Sequence, residues 1–366
     1  MVVGGGTPDT NNHKYWNGDI QWFTPSEIGR DKYVTNSLRT ISEEGLNKSS
    51  AKLLPIGTIL LSSRATVGEC SINKVECTTN QGFQSLIPKE YFSKEFVFYL
   101  MQTKRKELIR KSCGSTFLEI SANEVRKIKI AVPTSKEQEK ISKLLALLDE
   151  RISTQNKIIE DLKKLKSAIS KQVFVQIPNE WNRLDTLFSK GKAGGTPTST
   201  NKDYYNGDIP FLSINDITKQ GKYIKYTENH LSQSGLENSS AWIIPKYSLI
   251  MSMYASVGLV TINEKPIATS QAMFAMQLKD TNLLDYLYYY LSHFRYRHLY
   301  KYIETGTQSN INADTVRRIM IPNYGHSRNI EIASTLRSID AKIDNELSIL
   351  ELLNGQKQYL LRQMFI

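Results

Sequence analysis

The sequence predicts an α+β protein: two mixed α/β bodies related by a pseudo-twofold axis and joined by two long helices that form an antiparallel coiled coil. First, the chain contains one pattern twice, because residues 5–28 (GGTPDTNNHKYWNGDIQWFTPSEI) match residues 194–217 (GGTPTSTNKDYYNGDIPFLSINDI). Second, each copy ends in a stretch of apolar residues at heptad spacing. Two copies are too few for a solenoid, but they suit one molecule with two similar bodies.

The repeat divides the chain into four expected segments. The first body is shorter at its start, since only four residues precede its GGTP, whereas the second copy begins PNEWNRLDTLFSKGKA at Pro178. The first body therefore lacks about a dozen residues that the second has. The segments are a first body at 1–133, a first long helix at 134–176, a second body at 177–325 and a second long helix at 326–366.

Within each body, turn residues precede short β-rich runs. Residues 55–63 read PIGTILLSS and their counterparts 245–252 read PKYSLIMS, which predicts a strand after a turn in both copies. An amphipathic helix follows in each copy, with Phe96 and Leu100 in the first and Leu291 in the second on its apolar face. These apolar residues are interpreted as core.

The two long helices carry narrow apolar stripes. The first begins after Pro133, where Ser135 and Gln138 offer a capping box. Gln155 and Lys166 interrupt its stripe. Because neither stripe is stable in water alone, we expect the two helices to pair with each other. The residues expected at this seam are Ile141, Leu145, Leu148, Ile152, Ile159, Leu162, Ile332, Leu336, Ile339, Ile343, Leu347 and Leu350.

Composition favours a polyanionic partner. The net charge is +11, and the chain holds 19 Tyr, 12 Phe and 4 Trp, a combination typical of nucleic-acid binding, although a basic balance also serves solubility. The cysteines Cys70, Cys77 and Cys113 form no CxxC and suggest reduced thiols. No apolar run is long enough to span a bilayer, and the start of the chain lacks the pattern of a signal peptide. We expect a cytoplasmic protein with no membrane partner.

The motifs of an enzyme are missing from the sequence. There is no GxGxxG, no GxxxxGK[ST] and no [DNS]PP[YFW] methyltransferase signature. The DxK triplets at 161–163 and 340–342 lie on the heptad helices, where they are solvated charges, and the five histidines lack metal-ligand spacing. We therefore expect no catalytic residue, no metal site and no bound cofactor in this chain.

The polar loops that recur in both copies are the candidate binding residues. Arg64 and Tyr254 occupy matching places in the two copies. An Arg there could donate two hydrogen bonds to guanine, and a Tyr could stack on a base or bond a phosphate. Framework positions match between copies while these positions differ, which predicts a target of two unlike parts. The candidate DNA contacts are Thr7, Lys14, Tyr15, Arg64, Asn80, Gln81, Lys104, Arg105, Lys111, Ser115 and Thr116 in the first copy, and Thr196, Lys202, Tyr204, Tyr254, Ser270, Gln271, Arg297, Lys301, Thr307, Gln308 and Asn310 in the second.

The ordered set of motifs resembles the specificity subunit of type I restriction–modification systems. The motifs are GGTP with NGDI, then a proline turn leading to VG, then (N/S)Q, a final strand at 128–133 and a helix of the form I…L…D..I, and they recur from residue 194. The first copy departs from the family's GTQ motif and reads CGSTFLEIS. The resemblance covers almost the whole chain.

That resemblance implies a recognition domain in each body, with the two helices as the spacer between half-sites on double-stranded DNA. It also implies docking of two methyltransferase subunits, which carry S-adenosylmethionine. Motor-nuclease subunits, which use ATP and Mg²⁺, would then join the complex. The specificity chain itself would catalyse nothing.

Two other classes of function explain parts of the sequence less completely. A coiled-coil scaffold without DNA binding explains the helices but leaves the matched polar loops and the basic charge unexplained. A self-contained restriction–modification enzyme would need a methyltransferase or nuclease block, for which the 366 residues offer no signature.

Overall fold

A computed structural model describes residues 1–114, 118–297, 299 and 310–365 of the chain. The chain forms two compact units. Unit 1 comprises Met1–Asn156 and Ser348–Ile366, and unit 2 comprises Lys157–Leu347. Each unit therefore contains one body together with a segment of each long helix.

Unit 1 holds eight strands among its described residues. They form a five-stranded sheet in the order β1-β8-β5-β6-β3 and a three-stranded sheet in the order β4-β2-β7. The strands are β1 (Val2–Gly4), β2 (Trp16–Phe23), β3 (Tyr33–Val34), β4 (Arg39–Ile41), β5 (Ile59–Leu61), β6 (Cys70–Asn73), β7 (Cys77–Thr79) and β8 (Gln84–Leu86). The helices are α1 (Glu43–Asn47), α2 (Lys94–Arg110), α3 (Ala122–Arg126) and α4 (Ser135–Phe174), of which α4 continues into unit 2.

Unit 2 repeats this plan. Its five-stranded sheet has the order β10-β17-β14-β15-β12 and its three-stranded sheet the order β13-β11-β16, and a further pair, β18-β9, is added. The strands are β9 (Glu180–Arg183), β10 (Phe188–Ala193), β11 (Tyr205–Leu212), β12 (Tyr223–Ile224), β13 (Asn229–Leu231), β14 (Leu249–Ser252), β15 (Val260–Asn263), β16 (Ala268–Thr269), β17 (Met273–Leu278) and β18 (Met320–Asn323). The helices are α5 (Ile214–Gln220), α6 (Gln233–Glu237), α7 (Leu284–Arg297), α8 (Ala313–Arg317) and α9 (His326–Met364). The matching sheets confirm the predicted duplication.

The core of each unit lies between its five-stranded sheet and the helix that follows the sheet. In unit 1 the whole of β5 is fully buried, as are Phe96 and Tyr99 of α2. In unit 2 Leu249 of β14 and Leu291 of α7 are fully buried in the same arrangement. Burying each such side chain contributes about 1.5–3 kcal/mol, so these apolar faces hold the helix against the sheet.

Helix α4 is capped by Thr134. The Thr134 hydroxyl and amide both donate to the Glu137 carboxylate, at 2.8 and 3.1 Å. The prediction that Ser135 and Gln138 form this cap was wrong by one residue, because Thr134 and Glu137 have the same spacing one position earlier. Gln138 is buried instead, and its amide oxygen accepts a hydrogen bond from the Ser93 amide at 2.9 Å.

Within unit 1 the segments of α4 and α9 run antiparallel. Lys357 Nζ of α9 lies 2.6 Å from Asp149 Oδ1 of α4. Further along, Phe365, which follows α9, lines the same cleft as Ile141 near the start of α4. Later residues of α9 therefore meet earlier residues of α4.

Within unit 2 the helix segments are antiparallel as well. Lys166 Nζ of α4 lies 2.5 Å from Asp340 Oδ1 of α9. The Tyr324 hydroxyl, just before α9, donates to the Val173 carbonyl near the end of α4, at 3.1 Å. The predicted antiparallel pairing is confirmed within each unit. Among the described helices, none is both long enough and apolar enough to cross a membrane.

Burial along α9 corrects one predicted seam residue. Ile343, Glu346 and Leu353 are 7%, 6% and 7% exposed, whereas Leu347 is 42% exposed. The assignment of Leu347 to the seam was wrong, because Glu346 takes that place in the heptad spacing. The other predicted seam residues are buried or partly buried: Ile141, Leu145, Leu148, Ile152, Ile159, Leu162, Ile332, Leu336, Ile339, Ile343 and Leu350.

The final strand forms in the second body and is absent from the first. Met320–Asn323 is strand β18, and its partner β9 belongs to the lead-in that starts at Pro178. Residues 128–133 form no strand, so the strand expected there was wrong. Among the described residues of unit 1, no strand lies beside this segment as β9 lies beside β18.

Candidate nucleic-acid interface

Four segments that are distant in sequence meet at one end of the first body. The Gly6 amide donates to the Thr79 carbonyl at 2.8 Å, which joins the GGTP loop to the loop after β7. The Ser63 amide donates to the Gly82 carbonyl at 2.8 Å, and the Ile120 amide donates to the Ser63 carbonyl at 2.9 Å. We call this set the loop cluster: the GGTP loop, the loop after β7, the turn after β5 and the segment after α2.

The same loop cluster occurs in the second body. The Gly195 amide donates to the Thr269 carbonyl at 2.9 Å. The Met253 amide donates to the Ala272 carbonyl at 2.7 Å, and the Ile311 amide donates to the Met253 carbonyl at 3.0 Å. Each hydrogen bond has its counterpart in the first body, so the two bodies share one loop framework.

Glycine is required where the GGTP loop crosses the end of β7 in the first body and the end of β16 in the second. A Cβ on Gly5 would lie 2.1 Å from the Asn80 carbonyl oxygen, and one on Gly194 would lie 2.0 Å from the Thr269 carbonyl oxygen. No side chain fits at such distances, so only glycine permits this close approach. This is the physical reason that GG recurs in both copies.

A threonine–glutamine pair fixes the exposed side of each loop cluster. The Thr7 hydroxyl donates to the Gln81 amide oxygen, and the Thr196 hydroxyl donates to Gln271 Oε1 at 2.5 Å. Both glutamines are exposed. The bond orients each amide, and no described residue bonds its nitrogen, so the NH₂ group is free to donate to a base edge or a phosphate.

The side chains of Asn80 and Ser270, by contrast, stabilise the turns to which these residues belong. The Asn80 side chain accepts from the Gly82 amide at 2.9 Å, and the Ser270 hydroxyl accepts from the Ala272 amide at 3.3 Å. Both are partly buried. Their geometry is that of residues that shape the loop beside the exposed glutamines.

Arg64 and Tyr254 lie at the same corner of their respective bodies. The backbone of Arg64 forms an isolated β-bridge with that of Glu119, and Arg64 Nε lies 3.9 Å from Glu119 Oε2. Tyr254 is bridged in the same way to Asn310 and is 40% exposed. The framework matches, while the side chain that it presents is a cation in one body and an aromatic in the other.

The basic end of α2 is partly neutralised within the chain. Lys104 and Lys111 lie 3.9 and 3.4 Å from Glu107, and Arg105 lies 2.8 Å from Glu69. Exposed ion pairs of this kind contribute about 0–1 kcal/mol each, so they exchange readily for phosphate. Arg110, which was not among the candidate contacts, is exposed and forms no ion pair with a described residue.

The lysines of the two short 3-10 turns are exposed, and the tyrosines beside them are partly buried. Asn12 caps the turn His13–Tyr15 and Asn201 caps the turn Lys202–Tyr204. Arg297 is exposed at the end of α7. Five candidate contacts lie outside the described residues: Ser115, Thr116, Lys301, Thr307 and Gln308. Among the described residues, no group of three or more His, Cys, Asp or Glu side chains is placed to hold a metal ion.

A polar cluster that sequence reasoning missed links each body to the long helices. In unit 2 the Tyr289 hydroxyl donates to Asp340 Oδ2 at 2.8 Å and accepts from Lys222 Nζ at 3.0 Å. Asp340 also holds Lys166. Burial lowers the pKa of the Lys222 amine and raises the pKa of the Tyr289 hydroxyl, so the tyrosine remains a neutral donor.

Unit 1 has the corresponding cluster. The Tyr99 hydroxyl donates to Asp149 Oδ2 at 2.7 Å and accepts from Lys32 Nζ at 3.2 Å, and Asp149 holds Lys357. Each cluster joins four residues from four separate segments of sequence. The only signal in sequence was that Lys166 breaks an apolar stripe and that Asp149 and Asp340 are matching positions.

Comparison with known proteins gives one family. The family model for the type I restriction modification DNA specificity domain matches residues 2–164 and 178–354. A type I restriction enzyme specificity subunit of Methanocaldococcus jannaschii is 33% identical over 242 residues, which is 60% of this chain and 56% of that protein. An Escherichia coli specificity subunit, that of EcoR124I/EcoR124II, is 31% identical over 166 residues, 43% of this chain and 40% of that protein. The alignments thus span about half the length of these relatives.

Solved structures show the same fold at low sequence identity. The specificity subunit structure from M. genitalium matches with a TM-score of 0.57 at 15% identity, covering 98% of this chain and 99% of that one. A structure from a study of assembly and conformational transition in the type I restriction–modification system matches with a TM-score of 0.66 at 16% identity, covering 99% and 95%. At 15% and 16% identity, both similarities show the fold alone.

Proposed function

Because the chain belongs to the family of type I restriction–modification DNA specificity domains, we propose that it is the sequence-reading subunit of a type I restriction–modification complex. The observation that carries the proposal is the loop cluster, which occurs once in each body with the same backbone bonds and different exposed side chains. A scaffold without DNA binding would give no reason for this pattern.

The target is a double-stranded DNA site in two unlike parts, one read by each loop cluster. Gln81 and Gln271 offer amide donors, which suit acceptors on a base edge, and an arginine at 64 suits the paired acceptors of guanine. Tyr254 stands at the matching corner of the second body and gives it a different preference. The long helices α4 and α9 fix the spacing between the two parts.

Phosphate contacts come from exposed cations near the loop clusters. Arg110 at the end of α2, Arg297 at the end of α7, and Lys14 and Lys202 on the 3-10 turns are exposed. Each phosphate neutralised in B-DNA lowers the slope of log K against log salt by about 0.9. Binding therefore weakens steeply as salt rises.

The catalytic work belongs to partner subunits in this proposal. Two methyltransferase subunits supply S-adenosylmethionine, and motor-nuclease subunits supply the use of ATP and Mg²⁺, in the cytoplasm. The names of the archaeal and E. coli relatives, and the fold shared with a structure from a type I assembly study, support membership of such a complex. The chain itself only selects the DNA.

The test is the methylated motif in DNA from cells that express this chain with the methyltransferase subunit encoded beside it. We expect a split motif with two unlike parts. A single contiguous palindrome, or the same motif when this chain is omitted, would contradict the proposal.

A further inference from the structure

An arginine of the first body lies on an aromatic surface. The Cζ atom of Arg39, the first residue of β4, lies over the ring of Trp16 at 3.5 Å from the ring centroid, and 5.6 Å from the centroid of Trp22. The two indole rings meet edge to face with their centroids 5.0 Å apart. Both tryptophans are buried, whereas Arg39 is exposed. The guanidinium is therefore stacked on the surface of the body.

The same two tryptophans hold the GGTP loop, which belongs to the loop cluster. Trp22 Nε1 donates to the Gly6 carbonyl at 2.9 Å, and Trp16 Nε1 donates to the Asp9 carbonyl at 3.1 Å. Between these two carbonyls lies Thr7, whose hydroxyl orients the exposed glutamine of the loop cluster. The stacked guanidinium therefore lies beside the loop that we assign to DNA reading.

The backbone that carries Arg39 is fixed as well. Strand β4 pairs with β2 in the register that sets Arg39 opposite Trp22. The Ser37 hydroxyl donates to the Arg39 carbonyl at 2.6 Å, and the Ser37 amide donates to Gln21 Oε1 at 2.7 Å. Because the strand and the indole both hold this arginine, less side-chain freedom is lost when it binds a ligand.

The second body has the same framework with a different exposed side chain. Asn229 of β13 stands opposite Phe211, and the Thr227 hydroxyl donates to the Asn229 carbonyl at 2.8 Å. The Tyr205 hydroxyl donates to the Pro197 carbonyl of the second GGTP loop at 2.8 Å. Each contact has its counterpart in the first body. The exposed side chain, however, is a short amide where the first body has a stacked cation.

The charge of Arg39 is not used within the described part of the chain. No described residue forms an ion pair or a side-chain hydrogen bond with its guanidinium. Arg105 of the same body, by contrast, lies 2.8 Å from Glu69. Stacking occupies one face of a guanidinium and leaves the N–H donors in its plane available. Such a planar donor edge matches the O6 and N7 acceptors of guanine.

We propose that Arg39 is a specificity-determining residue of the first body, whose stacked guanidinium reads a guanine in one part of the DNA target. This role rests on the proposed function and adds strand β4 to the surface that reads DNA. At the matching position of the second body, Asn229 gives that body a different preference.

Two variants of Arg39 separate base reading from other roles. The complex of this chain with the methyltransferase subunit encoded beside it is titrated with duplexes that carry the parent's methylated motif or single-base changes of it. Arg39→Met keeps an apolar stem over Trp16 but removes the donors, and it should lower discrimination at one guanine–cytosine pair about tenfold or more. Arg39→Lys keeps the charge without the planar donor edge and should lose the same discrimination. The other part of the motif should be read as before.

Arg151→Met is the matched control. Arg151 is an exposed arginine of α4 in unit 1, and it forms no ion pair with a described residue. Its substitution removes the same charge from the same unit and should leave discrimination unchanged at every base pair. Since Arg39 and Arg151 are both exposed, all three variants should have the circular dichroism spectrum and thermal midpoint of the parent chain.

The outcomes that would overturn this role differ from those that would overturn the proposed function. Discrimination that Arg39→Met or Arg39→Lys retains would overturn the role, and with a lowered thermal midpoint it would show that Arg39 only covers Trp16. Binding that weakens by one factor on every duplex would also overturn it, because the arginine would then contact a phosphate. A parent complex that binds all duplexes equally would overturn the proposed function itself.

Discussion

Lys166 Nζ lies 2.5 Å from Asp340 Oδ1 in unit 2, and this ion pair accounts for the lysine that interrupts the apolar stripe of α4. Lys357 and Asp149 form the corresponding pair in unit 1 at 2.6 Å. In a coiled coil, a charged residue inside the seam fixes the register of the helices at some cost in stability. The duplicated pair therefore sets how α4 and α9 align within each unit.

Removing the charge of Asp340 should destabilise the protein. Asp340→Asn leaves Lys166 and the Tyr289 hydroxyl without their anionic partner, and losing hydrogen bonds to a charged group costs about 1–3 kcal/mol. Asp161→Asn is the matched control, because Asp161 lies on α4, is 61% exposed and sits 4.0 Å from Lys164. Urea unfolding should show a lowered free energy of unfolding for Asp340→Asn and a change within about 0.5 kcal/mol for the control. If both substitutions lowered the free energy of unfolding equally, the ion pair of Asp340 would not be what fixes the register of the helices.

Substituting Arg64 should relax the sequence preference in one part of the DNA target. An arginine that forks onto guanine discriminates that base by about 1–3 kcal/mol, so Arg64→Ala should lose selectivity at one base pair and leave the other part unchanged. Arg64→Lys keeps the charge without the fork and should lose the same discrimination. Competition binding with single-base variants of the site measures this. A uniform loss on all sequences would reassign Arg64 to a phosphate.

Thiol chemistry should distinguish Cys113 from the other two cysteines. Burial raises the pKa of the Cys70 and Cys77 thiols to about 12, whereas Cys113 is exposed. Since the thiolate is the reactive form, one equivalent of thiol reagent should react with the folded chain at neutral pH. Cys113 pairs through its backbone with Glu119, the partner of Arg64, so a bulky adduct there should weaken DNA binding. Rapid reaction of all three thiols would contradict the packing of β6 and β7.

Stability should fall above about pH 10. Burial raises the pKa of Tyr33, Tyr223 and Tyr288 from 10.0 to about 12, so between these values the folded protein keeps protons that the unfolded chain releases. The free energy of unfolding therefore decreases as pH rises through this window. Burial lowers the pKa of the Lys32 and Lys222 amines below 10.5, the ordinary pKa of a lysine, which gives the opposite slope only below that pH.

Urea unfolding between pH 8 and 12 checks this expectation, with two variants for comparison. Tyr288→Phe should flatten the decline because the titrating hydroxyl is gone. Tyr296→Phe is the matched surface substitution, because Tyr296 is 79% exposed. A stability that rises between pH 10.5 and 12 would show that the sign is wrong.

The sequence predicted the features that depend on local pattern. The duplication located β5 and β14 at the runs after Pro55 and Pro245, and heptad spacing located α4 and α9. The seam position near residue 347 was misassigned, because Leu347 was chosen for its apolar side chain. Glu346, at the heptad position beside it, is the buried residue.

What the sequence could not supply depends on contacts between distant segments. The bonds of Tyr289 to Lys222 and Asp340 join residues that share no local motif. Likewise, the sequence did not show that Glu107 forms ion pairs with Lys104 and Lys111 at the basic end of α2. These pairs partly neutralise the two lysines, and only the fold shows where the Glu107 carboxylate lies. The contacts proposed for Thr307 and Gln308 remain predictions, because they lie outside the described residues.

If each body reads its own part of the DNA target, exchanging one body should change one part of the methylated motif. The most direct test is a chain in which the second body, residues 177–325, also replaces the first at 1–133. Its methylated motif is then compared with that of the parent chain in cells that express the same methyltransferase subunit. We expect a split motif whose two parts are the same short sequence, the one that the second body reads in the parent chain. A motif that keeps two unlike parts, or becomes contiguous, would contradict it.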